Sequence, residues 1–236
     1  MDLYVVTGTT RGLGAEFARL LAGREGVELV TLARREATIV ADLADAAALD
    51  RACAALARRC SERPWGKAVL INNAGAVEPV GPVETLDAAG IARSLAVNLA
   101  APLALMAAFL GATGAVPLRR VINISSGAGR RPIGGWGAYC TAKAGLDMAS
   151  RVAALEAKVK GARVEVVSLA PGVFDTDMQA TVRSQPAERF ADVARFRQMK
   201  ADGTLRPPAD VAADILRLEA EGRLAREPVE DLRDFA

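Results

Sequence analysis

The chain alternates short apolar runs with longer stretches in which apolar residues recur at helical spacing. Most of the short runs are continuously apolar, which is typical of strands covered on both faces. The predicted strands are 3–7, 27–33, 38–42, 67–73, 120–126 and 164–171. Strands that alternate with helices and connect through right-handed crossovers predict an α/β fold. We therefore expect a doubly wound, mostly parallel sheet in a single domain spanning residues 1–236.

One segment, about 177–208, departs from this rhythm because it is polar, rich in Gln and Arg, and contains Pro186. A segment of this length between regular elements is more often functional than idle. We expect it to be a substrate loop or lid. The Pro207-Pro208 pair, followed by Ala-Asp, predicts the start of a last helix.

Composition narrows the class of protein. The 236 residues are 51% hydrophobic with a net charge of +2, and the basic residues are scattered, so neither a nucleic-acid surface nor a membrane patch is expected. We expect no apolar run to approach the ~18 residues of a membrane span, and Met1 precedes an acidic residue rather than a signal-like stretch. Cys53, Cys60 and Cys140, without any histidine, lack metal-ligand spacing. We expect reduced cysteines, no metal site and a cytoplasmic location.

A glycine-rich stretch, TGTTRGLG at residues 7–14, follows the first strand and opens the first helix. Gly8, Gly12 and Gly14 would allow a tight turn, close approach to a pyrophosphate and close packing of helix on strand. A purely structural turn is the alternative, but the position between strand and helix favours a nucleotide site in a Rossmann-type sheet.

The end of the second strand distinguishes the two nicotinamide nucleotides. An acidic residue there would bind the adenosine ribose, but this chain has Ala33-Arg34-Arg35. Arg11 lies in the glycine loop, and guanidinium groups form charge-assisted contacts with phosphates. The sequence therefore predicts NADP(H) rather than NAD(H), with Arg34 and Arg11 as the contacts. The alternative is that these arginines are solvated surface.

Tyr139 and Lys143 form the candidate catalytic pair. Reducing a carbonyl requires a hydride from nicotinamide and a proton for the developing alkoxide. A free tyrosine has a pKa near 10, but a lysine one helical turn later would favour the phenolate and lower that pKa. We expect Tyr139 to be the acid–base group, with an amphipathic surface tyrosine as the alternative. Tyr4, within the first strand, is expected in the core.

Together with the glycines and Asn72-Asn73-Ala74-Gly75, the Tyr139-x-x-x-Lys143 motif resembles the short-chain dehydrogenase/reductase family over essentially the whole chain. The resemblance implies that Ser126 orients the substrate and that Lys143 also holds the nicotinamide ribose. It implies that Asn98 supports a water relay from Lys143 to solvent. Ser125 is an alternative to Ser126, and Asn98 could instead be a structural amide.

The same resemblance implies cofactor contacts from the segments that follow the strands. Asp42 matches an acidic residue near adenine, although it could equally cap a helix. Pro171-Gly172-Val173 with Thr176 matches the loop that meets the nicotinamide carboxamide. The expected cofactor residues are Gly8, Thr10, Arg11, Gly12, Leu13, Gly14, Arg34, Asp42, Leu43, Asn73, Ala74, Gly75, Tyr139, Lys143, Pro171, Gly172, Val173 and Thr176.

Within the family, GWGAYCTAKAGLDM and APGVFDTDMQ are most similar to the bacterial benzil reductases and to the sepiapterin reductases. This resemblance implies NADPH-dependent reduction of a 1,2-dicarbonyl to an α-hydroxy ketone, in an apolar pocket. Asp231 matches a pterin-binding aspartate, with Glu230, Asp234 or a merely solvated tail as alternatives. The candidate substrate contacts are Ser126, Trp136, Phe174, Met178, Met199 and Asp231, and plain packing is open for the apolar ones.

Two other functions are compatible with these motifs: a general carbonyl or 3-oxoacyl reductase, and a catalytically silent NADPH-binding sensor. The resemblance also implies a homodimer or homotetramer. Small apolar residues in VNLAAPLALMAAFL and AGLDMASRVAALEA could pack between subunits or within the monomer.

Overall fold

The computed structural model describes residues 1–235, and its centre is a seven-stranded parallel sheet with the order β3-β2-β1-β4-β5-β6-β7. The chain builds the sheet outward from β1 in one direction and then from β4 in the other. This reversal opens a crevice at the carboxyl ends of the strands, as in doubly wound folds. The predicted fold is confirmed. The strands are β1 (Asp2–Thr7), β2 (Val27–Ala33), β3 (Ile39–Val40), β4 (Lys67–Asn72), β5 (Leu118–Ile124), β6 (Val164–Ala170) and β7 (Val229–Asp231).

Helices cover both faces of the sheet. On one face, Phe17 of the first helix and Ile215 of the last pack against the apolar side chains of the central strands. On the other face, Leu56, Leu105 and Phe109 form a second apolar cluster. The helices are α1 (Gly12–Leu21), α2 (Ala46–Cys60), α3 (Ala88–Leu95), α4 (Ala101–Ala112), α5 (Gly137–Val159), α6 (Asp177–Arg183), α7 (Val193–Ala201) and α8 (Pro208–Ala220).

The seventh strand, β7, lies in a stretch for which the sequence left a solvated acidic tail open as an alternative. It pairs with β6 at the edge of the sheet, with Ala170 opposite Asp231. The Glu230 carboxylate accepts hydrogen bonds from the backbone N–H groups of Ala225, Arg226 and Glu227 at 2.9–3.1 Å. Three residues with two acidic side chains carry no apolar alternation, so the strand exists because of its tertiary pairing.

The expected loop at 177–208 contains two short helices, α6 and α7, and the start of α8. Val182, Phe190 and Phe196 of this region are buried in a third apolar cluster with Trp136. We call residues 177–201 the α6–α7 cover. The last helix begins at Pro208, as predicted.

A continuous helical stretch, Ala88–Ala112, joins α3, a π-helical turn at 96–100, and α4. Its most apolar 18-residue window has a mean hydropathy of 1.9, so the stretch is long and apolar enough to span a membrane. The expectation that no apolar run approaches this length was therefore wrong. Core helices pass the same test, and Ala101, Leu105 and Phe109 of this stretch are fully buried within the molecule.

Candidate active site

A cavity of about 970 Å³ runs along the carboxyl edge of the sheet, from the glycine loop after β1 to the α6–α7 cover. It brings together residues that are distant in sequence. The expected cofactor and catalytic residues all line it, except Gly14 and Asn98, which lie behind its wall. The expected substrate contacts, including Met199, line it as well.

The glycine loop forms the turn from β1 into α1. Gly8 and Gly12 adopt positive φ values of 72° and 56°, which residues with a Cβ rarely adopt. A Cβ on Gly8 would also lie 2.8 Å from the Cα of Ala74, so the loop packs directly on the segment after β4. Arg11 occupies the position directly before α1, but its side chain makes no hydrogen bond to the free N–H groups of the helix. The first turn of α1 therefore offers unpaired donors of the kind that bind phosphate.

Thr7 ties this loop to the end of β4, a role that the sequence analysis missed. Its Oγ1 accepts hydrogen bonds from the backbone N–H groups of Asn73 and Ala74, each at 2.9 Å. The Asn73 side chain donates to the carbonyl of Thr7 at 2.9 Å. The sequence feature that could have indicated this role is that Thr7 directly precedes the first glycine of the loop. These bonds fix the two loops that face the glycine end of the cavity.

Arginines line the end of the cavity that lies beside the glycine loop and the carboxyl end of β2. Arg34 is exposed directly after β2 and has no ion-pair partner within residues 1–235, whereas Arg11 pairs with Asp177 at 3.3 Å. Asp42 accepts a hydrogen bond from the Ala44 N–H and pairs with Arg93 at 3.1 Å. It does not cap a helix.

The cap of α2 is instead Asp45, whose carboxylate accepts a hydrogen bond from the Ala48 N–H at 2.6 Å. The helix-cap alternative that the sequence left open for Asp42 therefore belongs to its neighbour three residues later. Asp42 keeps its contacts with Ala44 and Arg93 and lines the cavity.

The candidate catalytic residues meet where β5 ends and α5 begins. Ser126 lies beside Tyr139, where its hydroxyl lowers the pKa of the phenol, and the Lys143 ammonium lies 5.6 Å from the centre of the Tyr139 ring. Lys143 also donates to the carbonyl of Ile124 at 2.9 Å. Ser125 points elsewhere, because its hydroxyl donates to Asp147 at 2.6 Å. Of the two serines, it is therefore Ser126 that faces the tyrosine.

Burial sets the protonation of this pair. It raises the pKa of Tyr139 to about 12, against the opposing effect of the Ser126 hydroxyl. Burial also lowers the pKa of Lys143 to about 8, against the opposing charge of Asp147. The expected lowering of the tyrosine pKa by Lys143 is therefore not found in this structure, because desolvation of the phenolate is the largest cause of the shift and acts in the opposite direction. At neutral pH Tyr139 is protonated and Lys143 is mostly charged.

Asn98 lies in the π-helical turn between α3 and α4 and is fully buried. Its amide donates to the carbonyl of Ala76 at 2.8 Å and accepts from the Ala76 N–H at 3.1 Å. A Cβ on Gly75 would lie 2.9 Å from the Asn98 oxygen and 3.8 Å from the Lys143 nitrogen. Asn98 therefore fixes the segment after β4 and lies close to Lys143. Widened helical turns of this kind are frequent at functional sites.

The opposite end of the cavity, below the α6–α7 cover, has an apolar wall, although polar side chains of the cover such as Gln179 and Arg189 also line it. Trp136 stands edge-on to Tyr139, with 5.5 Å between ring centres, and stacks on Phe190 at 5.0 Å. Phe174, Met178 and Met199 complete this wall. A carbonyl carbon held near Tyr139 would therefore have apolar groups around its substituents.

Asp231 on β7 reaches the same cavity but is already paired. Its carboxylate accepts from the Arg233 guanidinium at 2.6 and 2.8 Å and lies 3.7 Å from Arg130. These arginines hold the pKa of Asp231 below its usual range, with the Arg233 hydrogen bond as the largest cause. Asp231 is 8% exposed and Glu230 is capped by backbone N–H groups, so the solvated-tail alternative does not describe these two residues.

Comparison with known proteins agrees with this site. The family model described as short chain dehydrogenase matches residues 3–187. The chain is 37% identical over 234 residues to a benzil reductase ((S)-benzoin forming) of Bacillus cereus, covering 92% of this chain and 94% of the relative. It is 34% identical over 210 residues to the sepiapterin reductase of Xenopus tropicalis, covering 79% of each.

Among solved structures, the chain is similar to one described as an NAD(P) dependent gluconate 5-dehydrogenase from Beutenbergia cavernae with bound NADP at low occupancy. That match has a TM-score of 0.80 at 25% identity and covers 98% of this chain and 94% of the other. The site geometry, the family model and the curated relatives agree on one kind of enzyme. The chain belongs to the short-chain dehydrogenase/reductase family, and it is an oxidoreductase that uses a nicotinamide cofactor to interconvert C=O and CH–OH groups.

Proposed function

We propose that this protein is an NADPH-dependent reductase that converts one ketone of a 1,2-dicarbonyl compound to an alcohol, giving an α-hydroxy ketone. The observation that carries the proposal is the buried, protonated Tyr139 beside Ser126 and Lys143, between the glycine-loop end of one cavity and the end that carries the apolar wall. The glycine-loop end suits a dinucleotide, and the apolar wall suits the substituents of a ketone.

Each residue has a separate role in this proposal. Tyr139 donates its proton to the oxygen of the carbonyl as that oxygen gains negative charge, and the Ser126 hydroxyl orients the same oxygen. Lys143 places a positive charge beside the phenol and stabilises the phenolate that remains. Asn98 holds the segment beside Lys143, where a water relay would reprotonate the site. NADPH, when bound, supplies the hydride.

The residues at the cofactor end fit a dinucleotide with a 2′-phosphate. The uncapped first turn of α1 would hold the pyrophosphate, and Arg34, with Arg11 beyond it, would hold the 2′-phosphate. The other expected contacts, apart from Gly14, line the same cavity. A bound NADP in the Beutenbergia cavernae structure supports the same choice.

The dicarbonyl substrate is supported by the names of two benzil reductases, 37% and 33% identical to this chain, and by the apolar wall of Trp136, Phe174 and Met178. The two aryl groups of benzil would pack against such a wall. A second candidate is a pterin side-chain ketone, favoured by Asp231 at the cavity and by the sepiapterin reductase relatives. A general carbonyl or 3-oxoacyl reductase and a silent NADPH-binding sensor are the outcomes that would replace both.

The test is NADPH oxidation with benzil and with sepiapterin, in wild-type protein and in Tyr139→Phe. We expect turnover of benzil, and a loss of about 10²–10⁴-fold in kcat in the variant, because a positioned general acid is removed. Turnover of sepiapterin alone would favour the pterin substrate. NADPH binding without turnover of any ketone would contradict the proposal and favour the sensor.

We also propose that the enzyme is a cytoplasmic homodimer or homotetramer. The outer surfaces of α4 and α5 expose large apolar side chains at Leu103, Met148, Val152 and Leu155, which are 45–62% exposed. Exposed apolar patches of this kind mark subunit contacts. Light scattering after gel filtration should give a multiple of the 24.6 kDa chain mass, and Leu155→Glu should lower it. A monomeric wild type would contradict this.

A further inference from the structure

Three polar side chains follow one another along one face of α5. Tyr139, Lys143 and Asp147 are spaced by four residues, which places them on the same side of a helix. All three are buried, with exposed fractions of 7%, 4% and 5%. Tyr139 and Lys143 belong to the proposed mechanism. Asp147 has no role in it so far, and a buried carboxylate requires an explanation.

Asp147 is fixed in position from two strands. Its Oδ1 accepts hydrogen bonds from the hydroxyls of Ser125, after β5, and Ser168, in β6, each at 2.6 Å. Its Oδ2 lies 3.5 Å from Nε of Arg130. These contacts hold the carboxylate in one orientation, one helical turn beyond Lys143.

Arg130 interacts with another carboxylate besides that of Asp147. The same guanidinium lies 3.7 Å from Asp231 and donates to the carbonyl of Glu230 at 2.6 Å. Asp231 is in turn paired with Arg233. The charged groups that face Asp147 are therefore Lys143 from its own helix and Arg130, with Asp231 behind it, from the segments packed against the helix.

The surroundings of Lys143 contain few other charges. Its ammonium faces the neutral Tyr139 ring, the carbonyl of Ile124 and the amide of Asn98. Asp147 is the charged group that opposes the effect of burial on the pKa of Lys143. Burial alone favours the neutral amine, which would lose the positive charge needed beside Tyr139.

We propose that Asp147 is a positioning residue whose buried carboxylate, one helical turn beyond Lys143, keeps the Lys143 ammonium protonated through neutral pH. Removing the carboxylate leaves Lys143 buried without its counter-charge, and the ammonium then loses its proton at lower pH. The consequence for turnover rests on the proposed function, whereas the protonation of Lys143 does not.

The first test is direct. The chain has five lysines, so protein labelled with ¹³C at lysine Cε gives few NMR signals, and Lys143→Arg identifies the signal of Lys143. We expect the wild-type signal to titrate near pH 8 and the signal of Asp147→Asn to titrate about one pH unit lower. An unchanged midpoint in Asp147→Asn would overturn the proposal.

Two variants separate charge from structure. Glu156→Gln removes an exposed carboxylate that lies thirteen residues after Lys143 on the same helix, about 20 Å from it along the axis. This variant should leave the titration midpoint of Lys143 unchanged. Ser168→Ala removes one hydrogen bond to Asp147 but keeps its charge, so it should lower the melting temperature without the full downward shift. If Ser168→Ala moved the midpoint as far as Asp147→Asn, Asp147 would have only a structural role.

The second test is the pH profile of kcat with NADPH and benzil. In Asp147→Asn the decline on the alkaline side should begin about one pH unit lower than in wild type, while turnover near pH 6 stays within a few-fold. A profile that is uniformly lower at all pH values would count against the proposal. If benzil is not a substrate at all, the proposed function fails, and the NMR titration still decides the role of Asp147.

Discussion

At the residue scale, the proposed chemistry depends on a tyrosine and a lysine whose burial acts on them in opposite directions. Burial keeps Tyr139 protonated far above neutral pH and makes Lys143 easier to deprotonate. A protonated phenol can donate a proton at once, which suits carbonyl reduction better than alcohol oxidation. The spacing of the pair could be predicted from the sequence. The directions of the two shifts could not, because they depend on what covers the pair.

Turnover should therefore depend on pH through Lys143. Its pKa of about 8 is lowered from the usual value, so the ammonium is present below pH 8 and is lost as the pH rises through that value. We expect kcat for ketone reduction to decline above about pH 8. In Lys143→Arg, which stays charged, this decline should disappear even if the overall rate falls. Steady-state rates between pH 6 and 10 measure it, and a flat wild-type profile would argue against Lys143 as the titrating group.

Arg34 should determine the choice of cofactor. Arg34→Ala should raise the KM for NADPH about tenfold or more and leave that for NADH nearly unchanged, because a charge-assisted contact to the 2′-phosphate is lost. Arg35→Ala is the matched control, since Arg35 is exposed but does not line the cavity. Equal effects of the two substitutions on KM would mean that only general surface charge is involved.

At the element scale, the α6–α7 cover and β7 are where local sequence reasoning was least informative. The cover reads as polar and irregular, yet its few apolar residues converge on Trp136. Phe190 is fully buried and stacks on the indole with 12° between the ring planes. An aromatic residue that is isolated in sequence gives no periodic signal, so its partner is known only from the folded chain.

The cover should be held by this stacking. Phe190→Ala should destabilise it by about 3 kcal/mol, because a large buried side chain is removed. We expect faster hydrogen exchange within residues 177–201 and a higher KM for the ketone, with NADPH affinity little changed. Phe190→Leu should be milder. If exchange rose across the central strands instead, Phe190 would support the whole fold rather than the cover.

At the scale of the whole molecule, a second buried polar network lies outside the cavity, and none of its residues line that cavity. In this network Glu219, which is 1% exposed, accepts hydrogen bonds from Tyr4 at 2.6 Å, Lys67 at 3.0 Å and Arg120 at 2.7 Å. These residues come from α8, β1, β4 and β5. The buried network therefore joins the last helix to the central strands, far from the cavity. Tyr4 lies in the core, as predicted.

The two tyrosines should separate stability from catalysis. Tyr4→Phe should lower the free energy of unfolding by about 1–3 kcal/mol, because it leaves the buried Glu219 short of one donor, while kcat stays within twofold. Tyr139→Phe should instead lower kcat strongly and leave the free energy of unfolding nearly unchanged. Chemical denaturation and NADPH oxidation on both variants measure these two quantities. A large loss of kcat in Tyr4→Phe would show that the Glu219 network is coupled to the cavity.

The sequence by itself determined the parallel α/β sheet, the glycine turn and the candidate pair Tyr139 and Lys143, because continuous strands, tight turns and helical spacing are local properties. It also determined that the chain resembles its family, since the motifs occur in order. Only the tertiary structure decided that β7 joins the sheet, that Ser126 rather than Ser125 faces the tyrosine, and that Asp147 lies behind Lys143. These depend on pairing and burial between residues far apart in the chain, for which no short stretch carries a signal.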